Sequence, residues 1–181
     1  MRCLFAFVIV VGLSVAAAIG YVYSGWADVS ATGPESAWVR WVLETTRKNA
    51  VARHAADIRV PDLSDPELIA SGADAFDDMC LGCHGAPGHP PMAGAAYMDP
   101  QPPDLADSAE ELTAAEVFWV IKHGIRMTGM PAWGPTHSDP ELWALVALVE
   151  HLPGMSAQEF RQLVQEAGGG DHDHEHAGDQ G

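Results

Sequence analysis

The chain has 181 residues, 48% of them apolar, a length that suits one modest domain with additions rather than a two-domain enzyme. Nine Lys and Arg against 25 Asp and Glu give a formal net charge of −16, the wrong sign for a surface that neutralises nucleic-acid phosphates, so no nucleic-acid partner is expected. Three cysteines, one at position 3 and two close together, exclude a disulfide-rich scaffold, a four-Cys zinc site and an all-Cys iron–sulfur site.

From Leu4 to Ala27 no residue is charged, and the core of this run is about as long as a helix needs to cross a bilayer. Arg2 precedes it, and Tyr21, Tyr23 and Trp26 close it in the manner of an interfacial aromatic belt. A removable export signal has a shorter apolar centre of about 7–15 residues, so residues 1–27 read as a transmembrane anchor. The alternative is a signal cleaved after Ala18 or Ala31. Cys3 sits too near the start to follow a lipoprotein-type apolar run and receives no role.

Residues 1–59 hold six basic and four acidic side chains, and residues 60–181 hold three and 21; the chain changes character near Val60-Pro61. Between anchor and boundary, residues 28–60 read as a membrane-proximal helical stalk. Thr32-Gly-Pro-Glu35 has the spacing of a capping box, which predicts a helix running to about Ala56. Its stripe is Trp38, Trp41, Val42, Thr45, Ala52 and Ala56, with Arg40, Arg47, Lys48 and Arg53 elsewhere. Such a helix suits two arrangements, lying along anionic headgroups or packing its tryptophans on the domain that follows.

Residues 61–155 form the main domain. Three helices are announced by one kind of start signal, Ser64-Asp-Pro-Glu67, Thr113-Ala-Ala-Glu116 and Ser138-Asp-Pro-Glu141. The first runs to about Cys80, the second stops at Gly124, and the third, Leu142 to Leu152, ends before Pro153-Gly154. A short fourth helix after Ser156-Ala-Gln-Glu159 frays at Gly168-Gly-Gly. No alternating strand pattern occurs, so the fold class is all-α. The stretch from Gly85 to Asp107 is rich in Pro, Gly and Ala and long for a connection, as in a loop that wraps a ligand.

Cys80-Leu-Gly-Cys83-His84 places two thiols three residues apart beside an imidazole. This is the spacing with which two thioether bonds and one axial iron ligand are made to a single haem. A thioredoxin-type pair needs a βαβ setting, and a two-Cys, two-His zinc site needs a separated His pair; neither pattern is here. Over about residues 62–155 the chain resembles the monohaem class I cytochromes c, and the segment FWVIKHGIRMTGMPAWG, Phe118 to Gly134, is similar to that of membrane-anchored bacterial members. The resemblance implies a class I cytochrome c fold behind an N-terminal transmembrane helix, with one covalent haem c. It also implies a close crossing of the first and last helices, for which Gly72 and Phe76 against Trp143 are candidates.

A low-spin carrier needs a second iron ligand. Met130 is the candidate, with Gly129 allowing close backbone approach and Pro131 stiffening the segment, and the resemblance puts the family's axial Met there. Met127, His123 and His137 are the rivals, while Met92 and Met98 in the wrapping loop read as fillers. A carbonyl of Pro102 or Pro103 is placed to accept the other N–H of His84, and Lys122, Arg126 and Trp133 are donors near the Met segment. Cofactor and iron-binding residues are thus Cys80, Cys83, His84 and Met130.

The function implied is electron transfer without a catalytic residue, from a haem domain facing the periplasm and anchored in the bacterial inner membrane, between respiratory partners whose basic surfaces suit an acidic domain. The alternatives are a haem peroxidase or gas sensor with a labile sixth ligand, and a fixed cytochrome subunit of a larger oxidoreductase. Residues 156–181 comprise the short helix and a His/Asp-rich tail. In that tail Asp171-His-Asp-His-Glu-His176 has a composition that binds transition metals loosely, or serves only as a solvated acidic end.

Overall fold

The computed structural model describes residues 1–33, 36–108 and 111–168. Glu35 of the first capping box and the Asp171–His176 tail lie outside the described residues. The chain divides into two compact units, residues 1–36 and the remainder from Ala37.

In the first unit the uncharged run forms helix α1, Arg2–Ser24, with no buried side chain. It is long and apolar enough to cross a membrane, its backbone polar groups being satisfied within the helix as a hydrocarbon environment demands.

The second unit begins with α2, Ala37–Ala55. It continues with α3 (Pro66–Met79), the one-turn α4 (Leu81–His84), a 3-10 turn (Ala93–Tyr97) and α5 (Leu105–Ser108), then α6 (Ala114–His123), α7 (Asp139–His151) and α8 (Ala157–Glu166). Among the described residues there is no strand, only an isolated bridge between Ala86 and His89. The all-α expectation therefore holds.

Helix α7 is the centre of this unit. Its run from Leu142 to Val149 is apolar around most of its circumference, the pattern of a helix buried on several sides. Leu142, Leu145, Val146 and Leu148 are fully buried, each worth about 1.5–3 kcal/mol relative to exposure. Helix α3 packs along α7 at a crossing fixed by Gly72, where a Cβ would overlap the Ala144 carbonyl oxygen and lie 3.2 Å from the Leu148 Cβ. The close approach expected at Gly72 is present, but its aromatic partner differs. Trp143 stacks on Phe118 of α6, 4.0 Å between centroids at 11°, while Phe76 meets Phe160 of α8 edge-on at 6.1 Å. Phe160 is 1% exposed, so α8 is anchored in the core.

Helix α2 packs on α6 through its C-terminal half, where Val51 and Ala55 are buried and His54 stacks on Trp119 at 5.4 Å and 11°. Trp38 and Trp41 take no part in that contact and remain exposed.

The helix starts follow local chemistry. At α6 the Glu116 carboxylate accepts from the Thr113 N–H at 2.8 Å, and at α8 Glu159 accepts from the Ser156 N–H at 2.7 Å, as capping boxes do. At α7 Glu141 accepts from both the N–H and the hydroxyl of Ser138. At α3 the cap is Asp65, whose carboxylate accepts from the Glu67 N–H at 3.0 Å, one residue later than the Ser64 start suggested by spacing.

Candidate functional site

The Cys80-Leu-Gly-Cys83-His84 segment follows directly from α3. Helix α3 ends at Met79, and Cys80 serves both as its C-cap and as the N-cap of α4. Within this turn the N–H groups of Cys83 and His84 both donate to the Cys80 carbonyl, at 3.1 and 2.9 Å, so that the two thiols and the imidazole are gathered on one helical turn. Both thiols are free, Cys80 buried and Cys83 half-buried. Burial pushes the Cys80 thiol up to about 12, with Cys83 adding to the effect. A dithiol redox pair works through a lowered thiol pKa, and burial acts on Cys80 in the opposite direction.

The wrapping loop is pinned to the same turn. Met92 donates its N–H to the Gly82 carbonyl at 2.9 Å, and Ala86 and His89 exchange backbone hydrogen bonds at 2.8 Å each, closing the chain immediately after His84. Farther along the loop the Pro103 carbonyl lies 2.8 Å from His84 Nδ1. A carbonyl only accepts, so Nδ1 carries the proton and Nε2 keeps the lone pair a metal requires. Of the two prolines suggested by sequence, Pro103 makes this contact.

Met130 is carried by a tight turn at the C-terminal end of α6. Gly124, which ends α6, has φ 64° and ψ −175°, a conformation that side chains rarely tolerate. The returning strand of chain lies directly over it, and a Cβ there would sit 2.7 Å from the Pro131 carbonyl carbon and 2.8 Å from both the Ala132 nitrogen and the Met130 oxygen. Ile125 donates to the Met130 carbonyl at 3.2 Å, Trp133 to Ile121 at 3.1 Å and Gly134 to Lys122 at 3.0 Å. Thr128 completes the turn, its hydroxyl donating to the Ile125 carbonyl at 2.7 Å and accepting from the Met130 N–H at 3.1 Å. Sequence reasoning passed over Thr128, although a hydroxyl immediately before a Gly-Met-Pro segment is a recognisable turn signal.

Met130 itself is half-buried against the main core. Met127 is 90% exposed and has φ 63°, pointing its thioether at solvent. Of the two histidines, His123 packs beside Trp119 at 5.0 Å; His137 meets Trp133 edge-on at 5.5 Å and pairs with the Thr136 hydroxyl at 2.9 Å. Met98 lies against the same turn, its sulfur 3.0 Å from where a Gly129 Cβ would be. Lys122 is held by Asp139 at 2.6 and 2.9 Å and lies 5.4 Å from the Phe118 ring centroid, which ties α6 to the start of α7.

The donor set therefore fits a covalently bound haem. Two free thiols share one turn, an imidazole is held in the tautomer that frees Nε2, and a thioether is carried on a hydrogen-bonded turn.

Residues 67–149 match the family profile described as cytochrome C oxidase, cbb3-type, subunit III. Over 98 residues the chain is 33% identical to the Cbb3-type cytochrome c oxidase subunit FixP of Sinorhizobium medicae (strain WSM419), a match covering 50% of this chain and 30% of that protein. The chain thus spans under a third of the length of the curated relative it matches. The matched stretch contains the Cys80–His84 motif and Met130, so the similarity supports a haem-binding cytochrome c domain here, preceded in sequence by an apolar helix long enough to cross a membrane.

Proposed function

We propose that this cytochrome c domain is a one-electron carrier with His84 and Met130 as axial ligands and Cys80 and Cys83 as thioether anchors. It faces the periplasm from the bacterial inner membrane and serves a terminal oxidase. Bound there, haem c supplies an iron that accepts and returns one electron, at a potential raised by Met/His ligation relative to a bis-His site. The chain's own residues supply the rest. Pro103 fixes the His84 ring and increases its basicity through the Nδ1 hydrogen bond. Thr128 and Gly124 set the Met130 turn, and the apolar core beneath it excludes water.

The observation that carries this reading is the contrast between the two methionines: Met130 is half-buried in a hydrogen-bonded turn, while Met127 is 90% exposed. Absorption spectra of the haem-loaded protein, oxidised, reduced and reduced with carbon monoxide, test it. The native protein and Met127→Ala should be low-spin and blind to carbon monoxide, and Met130→Ala should bind it. Carbon monoxide binding by the native protein would overturn the carrier reading in favour of a peroxidase or gas sensor.

Similarity to oxidase subunits favours a fixed place in such a complex over a free shuttle between respiratory partners. Migration with a larger assembly after mild solubilisation supports the subunit reading, and migration alone supports the shuttle. In either case the acidic domain suits a basic redox partner, and electron transfer to it should slow as salt rises.

A further inference from the structure

Helix α2 is divided along its length. Its C-terminal half is seated on α6 by Val51 and Ala55. Its N-terminal half has no buried residue, and there Trp38 is 70% exposed, Trp41 66% and Leu43 59%, with Val42 also exposed. At helical spacing Trp38, Trp41, Val42 and Thr45 form one exposed stripe centred about a third of a turn round the helix from the Val51 and Ala55 face, and Lys48 and Arg53 flank it on either edge. Two exposed tryptophans within one turn are costly to leave in water unless something covers them.

Three features identify what covers them. The exposed half is the one nearer in sequence to the membrane-crossing helix, and only residues 25–36 intervene, which span at most about 45 Å fully extended. Tryptophan favours the headgroup level of a bilayer, where its apolar ring and N–H are both accommodated. Helix α2 also carries four of the chain's nine Lys and Arg with one acidic residue, whereas residues 60–181 hold three bases and 21 acids. An anionic surface therefore attracts α2 and repels the rest of the domain, which fixes which side approaches.

We propose that the N-terminal half of α2 is a membrane-surface helix. In this arrangement Trp38, Trp41 and Val42 lie in the headgroup region of an anionic bilayer, and Lys48 and Arg53 are paired with lipid phosphates. The acidic remainder of the domain, residues 60–181, is thereby kept off the anionic surface. This inference is independent of which residue is the second iron ligand, so the spectra above and the test below fail separately.

The test is amide hydrogen exchange of the full-length, haem-loaded protein in nanodiscs of phosphatidylcholine alone or mixed with phosphatidylglycerol, comparing residues 37–46 with the buried helix α7 as internal reference. Exchange in 37–46 should be slower in the anionic discs, by about fivefold for each base in contact with the surface, and this difference should shrink with added salt. Lys48→Gln with Arg53→Gln should abolish the lipid dependence, and Trp38→Ser with Trp41→Ser should abolish the protection. Both pairs should leave α7 unchanged, because all four side chains lie outside the core. Protection equal in the two lipids, protection that follows the number of protein copies per disc, or no protection in either would overturn the proposal, the second of these pointing to a second copy of the chain instead.

Discussion

Replacing Gly124 by Ala tests how the Met130 turn is held. At φ 64° and ψ −175° the backbone occupies a region essentially restricted to glycine, at a cost of about 1–3 kcal/mol for any other residue. The added methyl would also stand 2.7 Å from the Pro131 carbonyl carbon and 2.8 Å from the Ala132 nitrogen and Met130 oxygen. These are backbone atoms tied back to α6 by the Trp133 and Gly134 hydrogen bonds, so they cannot swing aside as the tip of a long side chain would. Overpacking of this kind adds about 1–3 kcal/mol. The lower end of the combined cost, about 2 kcal/mol, corresponds to a fall in Tm of roughly 6–10 °C for a domain of this size. If the chain relieves the clash by lifting residues 130–132 instead, less stability is lost and the Met130 thioether moves. Thermal unfolding by circular dichroism and carbon monoxide binding to the reduced protein should be read on the same sample. A Gly124→Ala variant with unchanged Tm and no carbon monoxide binding would refute the claim that close packing over Gly124 positions the turn.

Phe160→Ala removes a ring that is 1% exposed and packed on Phe76; denaturant unfolding should show a loss of about 3–5 kcal/mol, and a loss well below 1 kcal/mol would mean that α8 is not part of the core. The Glu141 carboxyl is held below its ordinary value of 4.5 by hydrogen bonds from the Ser138 hydroxyl and N–H, and Glu159 likewise by Ser156. Because the folded value is the lower one, this stabilisation is complete above pH 4.5 and is lost as pH falls through the folded values. Ser138→Ala with Ser156→Ala should therefore lower Tm at neutral pH and flatten its decline below pH 4.5; an unchanged acid limb would assign that decline to other groups.

The all-α class, the helix starts at Thr113, Ser138 and Ser156, and the stop at Gly124 were legible because each rests on chemistry within four or five residues. The limit of such reasoning shows in two identical tetrapeptides. Ser64-Asp-Pro-Glu67 and Ser138-Asp-Pro-Glu141 read alike, yet Asp65 caps α3 and Ser138 caps α7. The difference lies outside the tetrapeptide, because the Asp62 carboxylate accepts from the Ser64 hydroxyl at 2.7 Å and from its N–H at 3.0 Å. The candidate site divides in the same way. The Cys80–His84 spacing and the Gly-Met-Pro segment are local signals, and so was the suggestion that a nearby proline carbonyl orients His84. The choice of Pro103 over Pro102 depends on the path of the wrapping loop. The partners of Trp143 and Phe76 were not legible, since helix crossing at Gly72 fixes the angle but not which neighbouring helix each ring meets. Phe160 stood in a mostly polar decapeptide whose single large ring gave no sign of how deeply it would be buried.

The dependence of the core on α8 bears on the order in which this chain matures. Synthesis proceeds from the N-terminus, so α3, the Cys80–His84 turn and α7 exist before Phe160 has been made. Until it arrives, one side of Phe76 is uncovered, and so is His89, which meets Phe160 at 6.0 Å only five residues after His84. Before Phe160 is made, the flank of the Cys80–His84 segment lacks the cover that these two ring contacts give it in the finished fold. A chain cut short after α7 would retain every residue of the attachment motif and still present an open hydrophobic flank, the kind of surface by which quality-control proteases recognise unfinished proteins.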